Sequence, residues 1–309
     1  MRVPGLGGTG IAELGKASIR NFLKHGMPTH ASALAYQGLF ALFPFVIFLG
    51  VLLVVLQVDG FFDRLIEQAR SQPPPQVPGP LEPALEQLRS SLSEQTLAPA
   101  AERLVDQGQE VAESKLLPFG IIFFAIWSAS GVAWTLLEAL NVVHEVEETR
   151  PLWRWFALSI VFAPVLAGVV IVGAGLLLIG PQLAEWLAGR VGLDEAFVAL
   201  WWWFRLPVAL FLLMLAVSAI YRFVPNTDRP FRVVAPGAVV AVIVWAAATL
   251  GFSLYLSNFA DYGVIYGSLG VAVALLVYLY LSAAALLLGA EVNEAIYRRA
   301  LDKEGQEEV

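Results

Sequence analysis

The stretch ASALAYQGLFALFPFVIFLGVLLVVL, residues 31–56, contains no Asp, Glu, Lys or Arg. A hydrocarbon core about 30 Å thick is crossed by about 20 consecutive apolar residues in a helix. A helix buried in a soluble core is rarely so long and so free of charge on every side. The strands of a membrane β-barrel would instead be alternating segments of about 10 residues. The stretch therefore predicts a transmembrane helix.

The composition of the whole chain points the same way. Of 309 residues, 58% are hydrophobic and 15% are charged, and the mean hydropathy is +0.70. Soluble domains carry about 25% charged residues, so these values argue strongly against a soluble enzyme. The net charge of −7 argues against a nucleic-acid partner, because such binders need a basic face. The absence of Cys removes disulfides and zinc–thiolate sites.

Five further apolar runs follow along the chain. Arg205 alone interrupts one of them, and Asp261 alone separates the last two, which predicts a short hairpin between those two. We predict an all-α polytopic membrane protein: a six-transmembrane-helix bundle, residues 26–299, with a small helical domain in an outer-face loop. The predicted spans are about 31–56, 116–140, 156–183, 198–221, 233–257 and 264–290.

Lysine and arginine residues predict the orientation of these spans. Twelve of the 19 lie on the side that holds both termini, and five of the other seven lie in one long loop, where the rule counts less. We therefore expect both termini, including a tail at 300–309, to be cytoplasmic. The first 25 residues lack the continuous apolar segment of a secretory signal peptide, so we expect the first span to act as the targeting signal.

Residues 1–25 form the predicted cytoplasmic N-terminal segment, in which residues 11–24 (IAELGKASIRNFLK) follow a helical period. Apolar side chains such as Leu14 and Phe22 fall on one arc, and basic side chains such as Arg20 fall opposite. A basic amphipathic helix of this kind lies in the membrane interface and binds anionic headgroups. Membrane lipids are therefore expected partners, although an ordinary juxtamembrane helix would carry the same basic residues.

Residues 57–115 form the long outer loop, with ten acidic and five basic residues and the proline run QPPPQVPGP at 72–80. Leucines after this run follow a helical stripe, which predicts a small helical cap. Three interpretations stay open: a lid over a cavity, a passively packed loop, or the surface that binds an envelope protein partner.

No motif in the sequence predicts catalysis, a metal or a cofactor. Residues 5–10 (GLGGTG) and 10–16 (GIAELGK) imitate dinucleotide and phosphate-binding loops, but no strand precedes them. His25, His30 and His144 are separated in sequence. The charged surroundings of His144 could hold a site, but they more readily predict a solvated loop. We therefore expect a protein that is not an enzyme.

Ionisable groups and prolines near the span ends are the more informative signals. Glu138 or Glu291 could pair with Arg222 across the bundle as a gate or clamp, and local pairing at the interface is the alternative. Pro44 interrupts the first span, and interrupted helices line substrate sites in many transporters, although plain kinks are commoner. No carboxylate lies at the predicted mid-membrane, so the sequence does not predict a proton relay.

The candidate cavity or gate residues share these positions at helix ends or helix breaks. They are Tyr36, Gln37, Pro44, Glu138, Asn141, Arg222, Asn226, Tyr255, Tyr266, Ser268, Glu291 and Asn293. Spaced glycines permit close helix packing, within one chain or between the subunits of a homo-oligomer.

Several short segments give the chain a family resemblance. They are 33–36 (ALAY), 42–44 (LFP), 127–130 (WSAS), 139–141 (ALN), 221–226 (YRFVPN), 236–238 (PGA), 266–268 (YGS) and 289–291 (GAE), with Tyr255 and Asn293. With these segments the chain resembles the YihY/BrkB family of bacterial inner-membrane proteins. The resemblance implies six helices with cytoplasmic ends in the inner membrane. Some members have carried a tRNA-processing ribonuclease label.

These observations lead to three ranked functions. We expect a transporter or flippase-like protein for an amphiphilic or lipid-linked envelope solute. The alternative is a non-transporting envelope scaffold that binds partners through residues 57–115. A tRNA-processing ribonuclease ranks last, because the sequence has no clustered acid–base or metal-binding residues.

Overall fold

A computed structural model describes residues 11–55, 117–151, 153–154, 195–227, 231–258 and 262–307. The helices are α1 (Ile11–Lys24), α2 (Met27–Val55), α3 (Leu117–Val143), α4 (Glu195–Phe223), α5 (Phe231–Asn258) and α6 (Tyr262–Glu307). All regular structure in the described ranges is helical, which confirms the predicted all-α class. The predicted third span and the outer loop 57–115 lie outside the described residues.

Two helical segments among the described residues are long and apolar enough to cross a membrane. They are Val234–Leu256 in α5 and Ala272–Leu301 in α6. Shorter apolar stretches, Ser130–Val143 and Pro207–Phe223, lie in α3 and α4. The count of six spans therefore remains a prediction.

Helix α6 continues well past the predicted span 264–290, to Glu307. The residues after Glu291 include Glu, Ala, Arg and Leu, which are strong helix formers, and they contain no proline. A change from apolar to charged residues ends a membrane span but does not end a helix. The apolar run and the charged residues after it therefore form one continuous helix. Most of the tail predicted at 300–309 belongs to this helix.

The chain forms two compact units. The first comprises Met1–Leu34, Ala133–Ala246 and Leu281–Val309, and the second comprises Ala35–Val132 and Ala247–Tyr280. The buried core of the first unit contains large side chains, Met27, Leu140, Val143, Tyr221 and Leu287.

In the first unit, α5 and α6 approach each other at two glycines. A Cβ atom built on Gly289 would overlap the carbonyl oxygen of Gly237, the hydroxyl of Tyr221 and the methyl group of Ala241. The Tyr221 hydroxyl donates a hydrogen bond to the Leu286 carbonyl beside this crossing. Small residues allow such close backbone contact, and the contact fixes where the polar end of α6 lies.

Two turns in the first unit position polar side chains beside α6. Gly26, between α1 and α2, has φ of 67°, a left-handed conformation that glycine adopts without strain. Glu145, after α3, has φ of 51°, which is uncommon for a residue with a side chain. The amide of Val146 donates to the Asn141 carbonyl at 3.0 Å and closes the second turn.

In the second unit, α2 contacts the neighbouring helices through a small-residue position and an aromatic surface. A Cβ atom on Gly131 of α3 would lie 2.9 Å from Oε1 of Gln37, so this position leaves little room for a side chain. The rings of Tyr36 and Phe40 are 4.7 Å apart on the exposed face of α2. An exposed aromatic face of this kind suits contact with lipid.

Candidate functional site

Side chains from two turns of the first unit contact charged side chains of α6. We call this group the His–Glu cluster: His25, His144, Glu145, Glu291, Glu294 and Arg298. His25 comes from the α1–α2 turn, and His144 and Glu145 come from the turn after α3. The remaining three residues lie on α6.

Glu291 is the most deeply buried member of the cluster, with an exposed fraction of 0%. Its Oε1 atom lies 2.7 Å from Nδ1 of His25. Its Oε2 atom is buried and has no hydrogen-bond partner among the described residues. Burying a carboxyl oxygen without a partner is costly, so this group calls for a functional or structural explanation.

His25 also contacts a second carboxylate, on the exposed side of the cluster. Its Nε2 atom lies 3.4 Å from Oε1 of Glu145, whose side chain is 48% exposed. The other oxygen of Glu145 lies 2.9 Å from a guanidinium nitrogen of Arg298. Arg298 therefore holds the pKa of Glu145 below its ordinary value, with a smaller contribution from His25. Glu145 is ionised at neutral pH as a result.

The second histidine of the cluster is fully enclosed. Nδ1 of His144 lies 2.7 Å from Oε2 of Glu294, and both side chains are only 3% exposed. Glu294 accepts a further hydrogen bond, at 2.8 Å, from Nε of Arg298 one turn along α6. The prediction of a solvated loop is confirmed for Glu145, Glu147 and Glu148, which are exposed, but it is wrong for the His144 imidazole, which turns inward against α6.

Helical spacing explains why α6 can collect these groups. Glu291, Glu294 and Arg298 follow one another at intervals of three and four residues, which places them on one helix face. This spacing was a readable signal that the sequence prediction missed for Glu294 and Arg298. The histidine partners had no such signal, because His25 lies 266 positions from Glu291.

Asn293 forms a second polar contact, on a neighbouring face of α6. Its Oδ1 atom accepts a 2.7 Å hydrogen bond from the Gly237 amide, and its Nδ2 atom donates to the Val234 carbonyl at 2.9 Å. Both backbone groups lie beside Pro236, which has no amide hydrogen and disturbs the turn before it. A side chain of α6 thus bonds to the backbone of α5 on both sides of its proline.

A third contact joins the loop after α3 to the end of α4. Oδ1 of Asn141 accepts from the Asn226 amide at 3.0 Å, and its Nδ2 donates to Glu148 at 2.9 Å. Arg150 donates to Glu148 and to the Val224 carbonyl, both at 2.9 Å. This contact holds the turn that carries His144 and Glu145 in place.

The cavity or gate residues predicted from the sequence lie in both units, six in each. The first unit contains Glu138, Asn141, Arg222, Asn226, Glu291 and Asn293, and the second contains Tyr36, Gln37, Pro44, Tyr255, Tyr266 and Ser268. The side chains of Tyr266 and Ser268 lie outside the described part. Tyr36 and Tyr255 are exposed, Gln37 is half-buried and Pro44 is buried.

The predicted partner of Arg222 differs from the observed contacts. Glu291 pairs with His25, while Glu138 is exposed and Arg222 donates to the Thr227 carbonyl at 3.4 Å. Glu291 thus pairs with His25 of the α1–α2 turn, where pairing with Arg222 had been one of the predictions. Hydropathy and charge patterns carry no information about that turn's position.

Among the described residues, no group of three or more His, Cys, Asp or Glu side chains is arranged to hold a metal ion. The cluster is instead a chain of pairwise contacts between carboxylates, imidazoles and one guanidinium. Groups of this kind can bind or pass protons and can form or release ion pairs.

Comparison with known proteins gives several matches. The model of the family described as virulence factor BrkB matches residues 18–309. The ribonuclease-like protein YfkH of Bacillus subtilis (strain 168) is 30% identical over 284 residues, covering 92% of this chain and 95% of that protein. UPF0761 membrane protein YihY of Salmonella typhimurium is 31% identical over 176 residues, covering 55% and 57%.

A further relative matches a shorter part of the chain. UPF0761 membrane protein PSHAa0171 of Pseudoalteromonas translucida is 40% identical over 83 residues, which cover 27% of this chain and 28% of that protein. No solved structure matches the chain. Because the BrkB model covers most of the chain and relatives are named membrane proteins, the resemblance read from the short segments is confirmed. The chain belongs to the YihY/BrkB family of membrane proteins.

Proposed function

We propose that the protein transports an amphiphilic or lipid-linked envelope solute and that the His–Glu cluster controls this movement. In this proposal the chain crosses the bacterial inner membrane several times, with both termini in the cytoplasm. The cluster lies at the cytoplasmic ends of the helices and opens or closes as its ion pairs exchange.

The observation that carries the proposal is the burial of Glu291 beside His25 at the end of the apolar part of α6. Ionisable groups are expensive in and near hydrocarbon, and in membrane proteins they mark substrate pathways and proton relays as well as local ion pairs. A scaffold would be more stable with apolar residues at these positions, because replacing a buried ion pair by hydrophobic groups is often neutral or stabilising.

A second observation supports movement of the helices. Helix α5 contains Pro236, and the backbone beside it depends on Asn293 of α6. Interrupted helices with backbone groups served by side chains recur at transporter sites. A proline of this kind is a place where a helix can bend, and Asn293 bonds to the backbone groups beside it.

The test is a reconstitution in vesicles of phosphatidylethanolamine and phosphatidylglycerol. Fluorescent phosphatidylethanolamine, phosphatidylglycerol and an isoprenyl phosphate are introduced, and a membrane-impermeant quencher measures how fast each probe crosses the bilayer. We expect at least one probe to cross faster than in protein-free vesicles. Equal rates for every probe would contradict the proposal.

Two single substitutions test whether the rate of probe movement depends on the His–Glu cluster. Glu291→Gln removes the buried charge at nearly constant volume, and it is expected to slow the transported probe. Glu13→Gln, on the exposed face of α1, removes one charge outside the cluster and should leave the rate unchanged. Equal effects of the two substitutions would separate the transport from the cluster.

The scaffold remains the alternative proposal, and it makes the opposite predictions. Deleting residues 73–112 would abolish binding of an envelope partner in a pull-down with full-length protein. Polar substitutions at Tyr36 or Tyr266 would change neither binding nor flux. A variant lacking 73–112 that still moves the probe at the normal rate would favour the transporter.

A further inference from the structure

His25 faces a carboxyl oxygen with each of its two ring nitrogens. Nδ1 lies 2.7 Å from Oε1 of Glu291, and Nε2 lies 3.4 Å from Oε1 of Glu145. A ring nitrogen attracts a carboxylate only when it bears a hydrogen, because otherwise a lone pair faces a negatively charged oxygen. Both contacts are attractive only if a hydrogen lies in each of them.

Counting hydrogens over these three groups gives a definite result. A neutral imidazole carries one ring hydrogen, and two ionised carboxylates carry none. With that single hydrogen, one of the two contacts is repulsive. Hydrogen bonds at both contacts therefore need one additional proton, carried either as an imidazolium or as a protonated carboxyl group.

Burial indicates where this proton is held. Glu291 is 0% exposed and its Oε2 atom has no hydrogen-bond partner among the described residues. An ionised carboxylate in such a place lacks both water and donors. Burial therefore favours a position for the additional proton between Oε1 of Glu291 and Nδ1 of His25, the pair with the shorter contact.

Neighbouring charges define the surroundings of this pair. On α6, Glu294 and Arg298 follow Glu291 on the same face, and Arg298 bridges Glu294 and Glu145. From the turn after α3, His144 contacts Glu294 through one ring nitrogen, Nδ1. Among these residues Glu145 has the most exposed side chain, 48% against 42% for Arg298, and it is the exposed carboxylate that touches His25.

We propose that Glu145, His25 and Glu291 form a proton-binding site that is loaded from solvent through Glu145. Solvent protonates the Glu145 oxygen that faces Nε2, and this O–H bond breaks as an N–H bond forms at Nε2. Nδ1 then gives its hydrogen to Oε1 of Glu291, and the ring returns to neutral. One proton is added and no electrons are transferred.

Loss of the proton reverses these steps and changes one contact. The hydrogen that remains stays between Nδ1 and the buried Glu291, so Nε2 presents a lone pair to Glu145. The longer, solvent-exposed contact then becomes repulsive and opens, while Arg298 retains Glu145. Coupling of this step to solute movement would rest on the proposed transport, but the proton site itself does not.

Nuclear magnetic resonance of ¹⁵N-histidine-labelled full-length protein in lipid nanodiscs tests the site, together with infrared detection of protonated carboxyl groups. The chain contains only three histidines, so His30→Gln and the response of His144 to Glu294→Gln assign the signals. At neutral pH we expect either two N–H bonds on His25 or a protonated carboxyl band that disappears in Glu291→Gln.

The Glu291→Gln variant has a specific expected result. Its carboxamide can donate to an unprotonated Nδ1, so His25 needs only one hydrogen, on Nε2. The variant should therefore contain one proton fewer in the site than the wild type. Glu13→Gln, the same substitution on the exposed face of α1 outside the cluster, should leave the hydrogens of His25 unchanged.

The wild type decides the question if Glu291→Gln does not fold. When the pH is raised above neutral, the His25 signals and the carboxyl band should change together as one proton leaves the site. A wild type with one N–H bond on His25 and no protonated carboxyl at neutral pH would overturn the proposal. A His25 signal that responds to sodium but not to pH would assign the site to a metal cation and would also overturn it.

Discussion

The space around single glycines decides whether α5 and α6 can pack closely. Gly289 and Gly237 have side-chain space smaller than a methyl group, whereas a Cβ atom on Gly251 of α5 would meet nothing within 4 Å. Gly289 and Gly251 both lie inside helices, yet replacement by alanine should have opposite effects on the stability of the protein at these two positions.

Gly289→Ala should destabilise the folded protein, because the new methyl group meets backbone that cannot move aside. Overpacking of this kind costs about 1–3 kcal/mol. Gly251→Ala is the control and should be neutral or stabilising by up to about 1 kcal/mol, because alanine restricts the unfolded chain. Thermal unfolding of both variants in detergent measures the difference. Equal transition temperatures would mean that the close approach of α5 and α6 is wrong.

Glu145 shows a residue whose backbone conformation conflicts with its identity. A left-handed turn position is usually occupied by Gly, Asn or Asp, and the sequence places Glu there with φ of 51°. Contacts with Arg298 and His25 favour glutamate here, because its carboxylate reaches both of them. Sequence patterns could not predict this conformation, since the compensation comes from other elements.

At the scale of helices, the backbone of α5 beside Pro236 is hydrogen-bonded to a side chain of α6. Removing the Asn293 side chain leaves the Gly237 amide and the Val234 carbonyl without the bonds that it supplies. An unsatisfied buried polar group costs about 1–3 kcal/mol. The first turns of α5 should therefore become less protected from hydrogen exchange in Asn293→Ala.

A double-mutant cycle separates this role from general packing. Pro236→Ala restores an amide hydrogen and allows the first turns of α5 to form regular helical bonds. The cost of Asn293→Ala should therefore be smaller when Pro236 is also replaced, with a coupling of about 1 kcal/mol. Hydrogen exchange over residues 231–240 and thermal unfolding measure both terms. Additive effects would show that Asn293 does not compensate for the proline.

Helix α1 presents Lys16, Arg20 and Lys24 to solvent, with Ile19 and Leu23 exposed beside them. Each basic residue near an anionic surface contributes about 1 kcal/mol. Replacing the three by glutamine should reduce the preference for phosphatidylglycerol over phosphatidylcholine in nanodiscs by about a hundredfold at low salt. Native mass spectrometry of bound lipid measures it. A preference unaffected by the substitutions would assign the basic residues to topology alone.

Helices were predictable because hydropathy is a local property of the chain. The fifth predicted span, 233–257, lies within α5, and the sixth, 264–290, lies within α6. The end of α6 was not predicted, because an apolar run reports the membrane boundary and not the helix boundary. The contact between α6 and the α1–α2 turn was equally hidden, because it depends on the packing of elements that are distant in sequence.

Whole-molecule topology can be tested directly because the chain contains no cysteine. Single cysteines at 12, 147 and 301 should react only with reagents that reach the cytoplasmic side, and a cysteine at 80 should react only from the outside. Labelling of intact cells with a membrane-impermeant maleimide measures this accessibility. External labelling at 12 or 301 would contradict the cytoplasmic termini, and labelling of these two positions from opposite sides would contradict an even number of spans.

At the scale of the molecule, composition alone identified a membrane protein, because a soluble surface needs more charge than 15% of residues. The candidate list contained Glu291 and Asn293, which lie on neighbouring faces of α6 in the first unit. It did not contain His25, His144, Glu145, Glu294 or Arg298. His25, His144 and Glu145 become neighbours of α6 only through the fold, whereas the spacing of Glu294 and Arg298 after Glu291 could be read from the sequence.

The most direct test of the transport proposal compares lipid-probe flux for wild type, Glu291→Gln and Glu13→Gln in the same vesicles. The proposal predicts that the wild type moves a probe faster than protein-free vesicles and that Glu291→Gln slows it by about tenfold or more, which corresponds to a barrier higher by about 1.4 kcal/mol. Glu13→Gln should keep the wild-type rate. Flux indistinguishable from protein-free vesicles, or an identical rate for Glu291→Gln and Glu13→Gln, would contradict the account.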